Sequence, residues 1–307
     1  MFKSIRFVLA LSLGVVALPL LSSAANAVDA VSAPQCVVSL SPTATETLYA
    51  IGAGHQVQAV DKDSDYPTKG LPTKRIDSLN PSVEAVIGIC KSTSTHPSTK
   101  PDLVILSYDA NQIKEKLTNA GVKVVEQDAP SNVAGALAQI RQLGALTGHV
   151  ASADALATSV KTTIAKDVAS IPSHKGKTLT AYYELDPTLY SLTSSTFVGS
   201  LLKSLGVVNI ADAENTTADA GYPQLSSEYI VSANPKIIFL ADTLCCKASQ
   251  STLAKRTGFS KIAAVADHEV FALNDDVASR WGPRLSLLMN ELTAAVKGAL
   301  KNAKLWS

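Results

Sequence analysis

Aromatic residues are scarce: Phe, Trp and Tyr together make up 5% of 307 residues. Charge is scarce too, at 17%, and balanced, with 27 bases against 26 acids. Low charge with 46% hydrophobic content excludes an intrinsically disordered chain. The balance also removes the basic field that holds nucleic acid or an anionic membrane surface, so neither is an expected partner. Four cysteines are too few for a disulfide-dense scaffold. The fold must rest on an apolar core, which this length can supply.

Catalytic signatures are missing as well. The sequence has no Gly-x-Ser-x-Gly elbow, no His-Glu-x-x-His and no Gly-x-x-x-x-Gly-Lys-Ser/Thr loop. Gly52-Ala53-Gly54 lacks the third glycine of a dinucleotide loop. His55, His96, His149, His174 and His268 are scattered, and no Cys or His stands at zinc spacing. No catalytic residue, metal site or cofactor is expected. The one enzyme reading left open is a secreted hydrolase whose triad is assembled from distant residues.

The amino terminus is organised differently from the rest. Lys3 and Arg6 precede an uncharged apolar run from Phe7 to Leu21, and Ala25-Asn26-Ala27 follows. That is the layout of a signal peptide spanning residues 1–27. The run is shorter than the ~20 apolar residues of a membrane span. Cys36 follows Ala33-Pro34-Gln35, without the residues that lipoprotein processing needs, so no lipid is expected on it. The mature chain is expected outside the cytoplasm, in an oxidising place, at the periplasm or cell surface.

Beyond the leader the chain reads as two similar α/β halves. In residues 28–131, Val37–Leu40, Val57–Val60, Leu103–Leu106 and Val122–Val125 are short apolar runs bounded by turn residues, hence strands. Thr43-Ala44-Thr45-Glu46 has the form of a capping box opening a helix. Ser82–Ile89 and Asn111–Ala120 carry helical patterns. Residues 172–307 repeat the plan, with strands at Thr178–Tyr183, Ile237–Leu240 and Val270–Leu273. Helices there fall at Phe197–Leu205, Ser226–Ser232, within Ser251–Ala264 and at Leu285–Leu300. Strands alternating with helices imply mainly parallel sheets wrapped by helices. The intervening residues 132–171 have no strand pattern and show apolar residues at helical spacing. A helix near Asn132–Leu146 and a long one from about Ala151 to Ala169 are expected. The fold class is therefore α/β, with two lobes joined by one long α-helix that restrains their relative motion.

Several residues stand out as candidates. Tyr66, Tyr108, Tyr222 and Trp281 all fall in loops after or between strands, and open α/β sheets bind ligands beyond the carboxyl ends of their strands. Each ring either lines a cleft for a large, flat, partly apolar ligand or caps the core of its own lobe. Arg280 with Asp276 either contacts a ligand or forms a local salt bridge, and Arg284 opens the last helix in a structural role. Glu84 and Glu228 start short helices at equivalent places in the two halves, where the helix dipole favours an acid. Cys36 and Cys90 should lie at one end of the first lobe, so a disulfide between them is plausible. Cys245 and Cys246 are either bonded to each other or both free.

These stretches together resemble the substrate-binding proteins of bacterial ABC importers, in the class with a rigid helix between its lobes that serves cobalamin, ferric siderophores and haem. The matching segments are Val38–Glu46, Ser64–Pro67, Asn80–Glu84, Lys100–Ile105, Gly121–Val124, Asn234–Ile238 and Arg280–Arg284, and the resemblance in which they fall runs over nearly all of the mature chain. The Ser-Asp-Tyr-Pro loop and the Arg280–Arg284 loop look most like cobalamin-binding members. The resemblance implies cobalamin or a related corrinoid as ligand, with a ferric siderophore or haem as the alternative. Arg280 and Asp276 match polar cleft positions of that subgroup, and Tyr222 an aromatic one. Ser78 and Ser107 stand where those members carry tryptophan, with Tyr108 beside the latter. The resemblance further implies docking of Glu84 and Glu228 on a membrane permease, and a monomer.

Overall fold

The computed structural model describes residues 33–94, 96–173 and 178–305. The expected signal peptide lies outside the described residues. The first lobe begins with β1 (Val37–Leu40), α1 (Pro42–Ala50), β2 (Val57–Asp61) and the two-residue β3 (Arg75–Ile76). It continues through α2 (Val83–Ile87), β4 (Leu103–Leu106), α3 (Ile113–Asn119) and β5 (Val124–Glu126). All five strands are parallel, in the order β3-β2-β1-β4-β5. Every residue of β1 and β4 is buried. That suits apolar runs, broken in β1 only by the buried Ser39, at the centre of a parallel sheet covered on both faces.

Helix α1 starts differently from its sequence pattern. Ser41 is its N-cap, accepting the Ala44 N–H at 3.2 Å, and Pro42 fills the first turn. Glu46 makes no capping box and points out of the first lobe. The disulfide Cys36–Cys90 ties the start of β1 to the segment after α2, with Cα atoms 6.1 Å apart.

Residues 132–171 form two helices, α4 (Val133–Thr147) and α5 (Val150–Ala169). Asn132 caps α4 by accepting the Gly135 N–H at 3.1 Å, and Gly148 ends it at φ +79°. The helices pack closely: a Cβ at Gly144 would sit 2.3 Å from the Cβ of Ala153. Ala136, Leu137, Ile140 and Leu143 of α4 share a core with Val37 and Leu48 of the first lobe. The chain thus folds back under that lobe before α5 leads to the second sheet.

The second lobe comprises β6 (Leu179–Glu184), α6 (Phe197–Ser204), β7 (Val207–Asn209), α7 (Ser227–Ala233) and β8 (Ile237–Leu240). Short helices α8 (Thr243–Cys246), α9 (Gln250–Leu253) and α10 (Ala263–Ala266) lead to β9 (Val270–Ala272), α11 (Asp275–Ala278) and α12 (Leu285–Asn302). The sheet is parallel, in the order β7-β6-β8-β9. Helix α12 buries Leu285, Leu288, Met289, Leu292 and Val296. These residues join Tyr183 and Phe239 of the second sheet, Ala157 and Val160 of α5, and the first-lobe residues above in one continuous core. Truncating a buried leucine there, Leu288→Ala for instance, costs about 2–5 kcal/mol. A shared core plus a helical crossover resists the wide hinge opening of flexibly joined lobes. No helix among the described residues is long and apolar enough to cross a membrane.

Candidate functional site

A cavity of about 340 Å³ opens at the carboxyl ends of the second sheet. Tyr183 and Leu185 reach it from the end of β6, Ala241 from beyond β8, and Asp275 and Asp276 from beyond β9. Leu192, Phe197, Tyr222 and Trp281 supply apolar walls, and Ala129, following β5, contributes from the first lobe. This is the place where a parallel α/β sheet offers space, because its helices diverge beyond the strand ends.

The polar groups at the rim are largely committed elsewhere. Asp275 accepts the N–H groups of Thr243, Leu244 and Cys245 at 2.8, 3.0 and 3.0 Å. Burial raises its pKa, but these bonds outweigh burial and hold the carboxyl below the usual range. The indole N–H of Trp281 donates to Oε1 of Gln139 on α4 at 2.7 Å. Burial pushes the Tyr222 hydroxyl up, and no cation opposes it. No Lys, Arg or His lines the cavity among the described residues.

Next to the cavity the two lobes meet through a buried ionic network. Arg280, only 6% exposed, donates Nη1 to Glu46 Oε1 at 2.8 Å and to Asp65 Oδ1 at 2.7 Å. Its Nη2 donates to the Asp63 carbonyl at 2.9 Å and to Asp276 Oδ1 at 2.7 Å. Arg284 grips the same glutamate, Nε to Oε2 at 2.9 Å and Nη2 to Oε1 at 2.6 Å. Its guanidinium also lies 4.6 Å from the centre of the Tyr66 ring. Burial raises Asp65, but the Arg280 guanidinium outweighs that and keeps the carboxyl below its ordinary value. Asp276 is pushed up by burial, with the charge of Asp65 adding to the effect. Behind them Asp61, fully buried, is raised to about 6 by burial and by Asp63, against the opposing bond from Ser64.

The expected residues separate into groups. The structure brings Tyr222, Asp276 and Trp281 to one cavity. It does not bring Tyr66 or Tyr108 to its lining: Tyr66 sits under Arg284, and Tyr108 is 67% exposed on the loop after β4. Arg280 stands outside the cavity lining and forms an inter-lobe ion pair, both terminal nitrogens serving four protein acceptors. Glu84 and Glu228 are exposed in the first turns of α2 and α7, capped by Ser82 and Ser226. Cys245 and Cys246 are bonded to each other in α8. Among the described residues no group of three His, Cys, Asp or Glu side chains could hold a metal ion. Glu46, Gln139, Asp275 and Phe197 escaped the sequence reading. The first three act through partners distant in sequence, and Phe197 looked like an ordinary helix residue.

The family model for periplasmic binding proteins matches residues 37–277. The chain belongs to that family. Among its relatives is an uncharacterized ABC transporter substrate-binding lipoprotein of Bacillus subtilis (strain 168), 31% identical over 273 residues, 86% of this chain and 80% of the relative. A cobalamin-binding protein of Halobacterium salinarum is 29% identical over 261 residues, covering 83% of this chain and 67% of the relative. The vitamin B12 binding protein of Vibrio cholerae superposes with a TM-score of 0.70 at 22% identity, covering 87% and 98% of the two chains. A haem-binding protein of Roseiflexus does so at 0.72 and 22%, covering 86% and 98%. These structures share the two parallel-sheet lobes and the long connecting helix.

Proposed function

We propose that this protein captures a corrinoid, cobalamin or a close relative, outside the cytoplasm and delivers it to the membrane permease of an ABC importer. The supporting observation is the chemistry of the cavity: apolar and aromatic walls, the two carboxylates of Asp275 and Asp276, and no cationic lining residue. A cobalamin carries peripheral carboxamides, whose N–H groups can donate to the rim carboxylates, while its single phosphate is left to face solvent. Haem propionates and anionic siderophores call for arginine or lysine. The names of the cobalamin-binding and vitamin B12-binding relatives agree with this reading. A cavity near the lower end of the 300–1,000 Å³ range of small-molecule sites would seat one edge of a macrocycle, leaving the rest over the exposed loops. Glu84 and Glu228, one exposed acid per lobe, are assigned to the permease contact, and residues 1–27 to export. Calorimetric titration with cyanocobalamin, haemin and ferric siderophores tests the reading. Cyanocobalamin alone should bind with one-to-one stoichiometry, and preference for haemin or a siderophore would overturn the assignment.

A further inference from the structure

We infer that Glu46 is a positioning residue for ligand capture, the pivot of a latch that fixes the mouth of the cleft. The inference rests on the capture function proposed above and adds to it a residue with no ligand contact. Glu46 is fully enclosed, yet both carboxylate oxygens are used across the lobe boundary, toward Arg280 and Arg284. Each arginine passes the constraint on. Arg280 holds Asp276 of the cavity wall and, on the other side, Asp63 and Asp65 of the first-lobe loop. Arg284 lies over the ring of Tyr66 in that same loop.

An independent observation places the second-lobe loop against α1. A Cβ at Gly282 would come within 3.2 Å of the Thr43 carbonyl and 3.3 Å of Thr47 Oγ1. Backbone 280–284 therefore lies directly on the helix that carries Glu46. Trp281, which walls the cavity, sits in the middle of this loop. A single carboxylate thus orients Asp276 and Trp281 on one side and Tyr66 on the other. A planar charge fork allows few alternative geometries. Neutralising it leaves Arg284 without a carboxylate and weakens the hold on Arg280.

Two measurements test this. In ligand-free protein, Glu46→Gln should speed amide hydrogen exchange selectively in residues 62–68 and 276–285. The surface control Arg141→Gln, which removes an exposed pair with Asp154, should leave both segments unchanged. In the ligand-bound protein, Glu46→Gln should accelerate cyanocobalamin release by about ten- to hundredfold with association nearly unaltered, the loss expected for charge-assisted bonds. Glu46→Asp, which keeps the charge, should recover part of the difference. Should Glu46→Gln fail to fold, Arg284→Gln should give the same exchange pattern. Unchanged exchange in both segments overturns the latch whatever the ligand is. Absence of cyanocobalamin binding by the unmodified protein counts against the function alone, since the exchange result stands without ligand. A release rate equal to that of the unmodified protein overturns the positioning role.

Discussion

Trp281 donates its indole N–H to Oε1 of Gln139 across 2.7 Å, joining the loop before α12 to a helix that packs under the first lobe. The bond sets the plane of the ring that walls the cavity. Trp281→Phe keeps most of the apolar face and loses the bond, so corrinoid affinity should fall by about 1 kcal/mol. Tyr222→Ala removes contact area on the order of 50–100 Å², worth ~1–2.5 kcal/mol. Calorimetry on both variants checks these values, and unchanged affinity in both would place the ligand elsewhere.

Arg280 should behave as a stability residue. Arg280→Ala leaves Asp276 without its arginine and Glu46 with Arg284 alone. Breaking a buried pair costs up to about 3–5 kcal/mol, less here because Arg284 still holds Glu46. A fall in the denaturant midpoint with an unchanged slope is the expected result. An undisturbed midpoint with lost ligand binding would restore the direct contact expected from the sequence.

The pH dependence of stability carries a signature of Asp61. Its carboxyl is raised from an ordinary 3.8 to about 6, chiefly by burial. Between those values the folded state holds a proton that the unfolded chain has released. Stability from this group is complete below pH 3.8 and is lost as pH rises through about 6, on the order of 3 kcal/mol. Asp242, raised to about 6 mainly by burial, acts in the same direction. Asp65 and Asp275, both lowered, lose their stabilisation below the usual carboxylate range instead. Thermal melts of Asp61→Asn should therefore show a flatter profile from pH 4 to 7, and an unaltered slope would contradict the assignment.

Much of the fold could be read directly. The runs Val37–Leu40, Leu103–Leu106 and Ile237–Leu240 became fully buried central strands, because mainly apolar stretches between turn residues suit a parallel sheet. The two helices of residues 132–171 fell where apolar spacing placed them. The lining of the candidate cavity was only partly legible. Tyr222, Asp276 and Trp281 were recognisable from ring and charge chemistry in loops beyond strands. Glu46 was not, because Thr43-x-x-Glu46 imitates a capping box and its partners lie 234 and 238 residues away. The ion pairs of Arg280 were hidden for the same reason, since its partner Glu46 lies 234 residues away and Asp65 215. Short elements such as β3, with two residues, carry too little periodicity to detect.

Glu84 and Glu228 face solvent in the first turns of α2 and α7. Replacing both by alanine should leave corrinoid affinity unchanged and lower uptake through the permease, more than either single change. Transport into vesicles carrying the permease measures this, and loss of affinity in the purified double variant would show that these acids serve the cleft.

The most direct test of the account is tryptophan emission. The sequence holds two tryptophans, Trp281 and Trp306, so Trp306→Phe leaves the cavity wall as the sole indole. A corrin absorbs near-ultraviolet and visible light and quenches an indole that it touches. Titrating this variant with cyanocobalamin should extinguish most of the emission, with a break at one equivalent. Emission that stays constant while calorimetry records binding, or no binding at all, would contradict a corrinoid seated against Trp281.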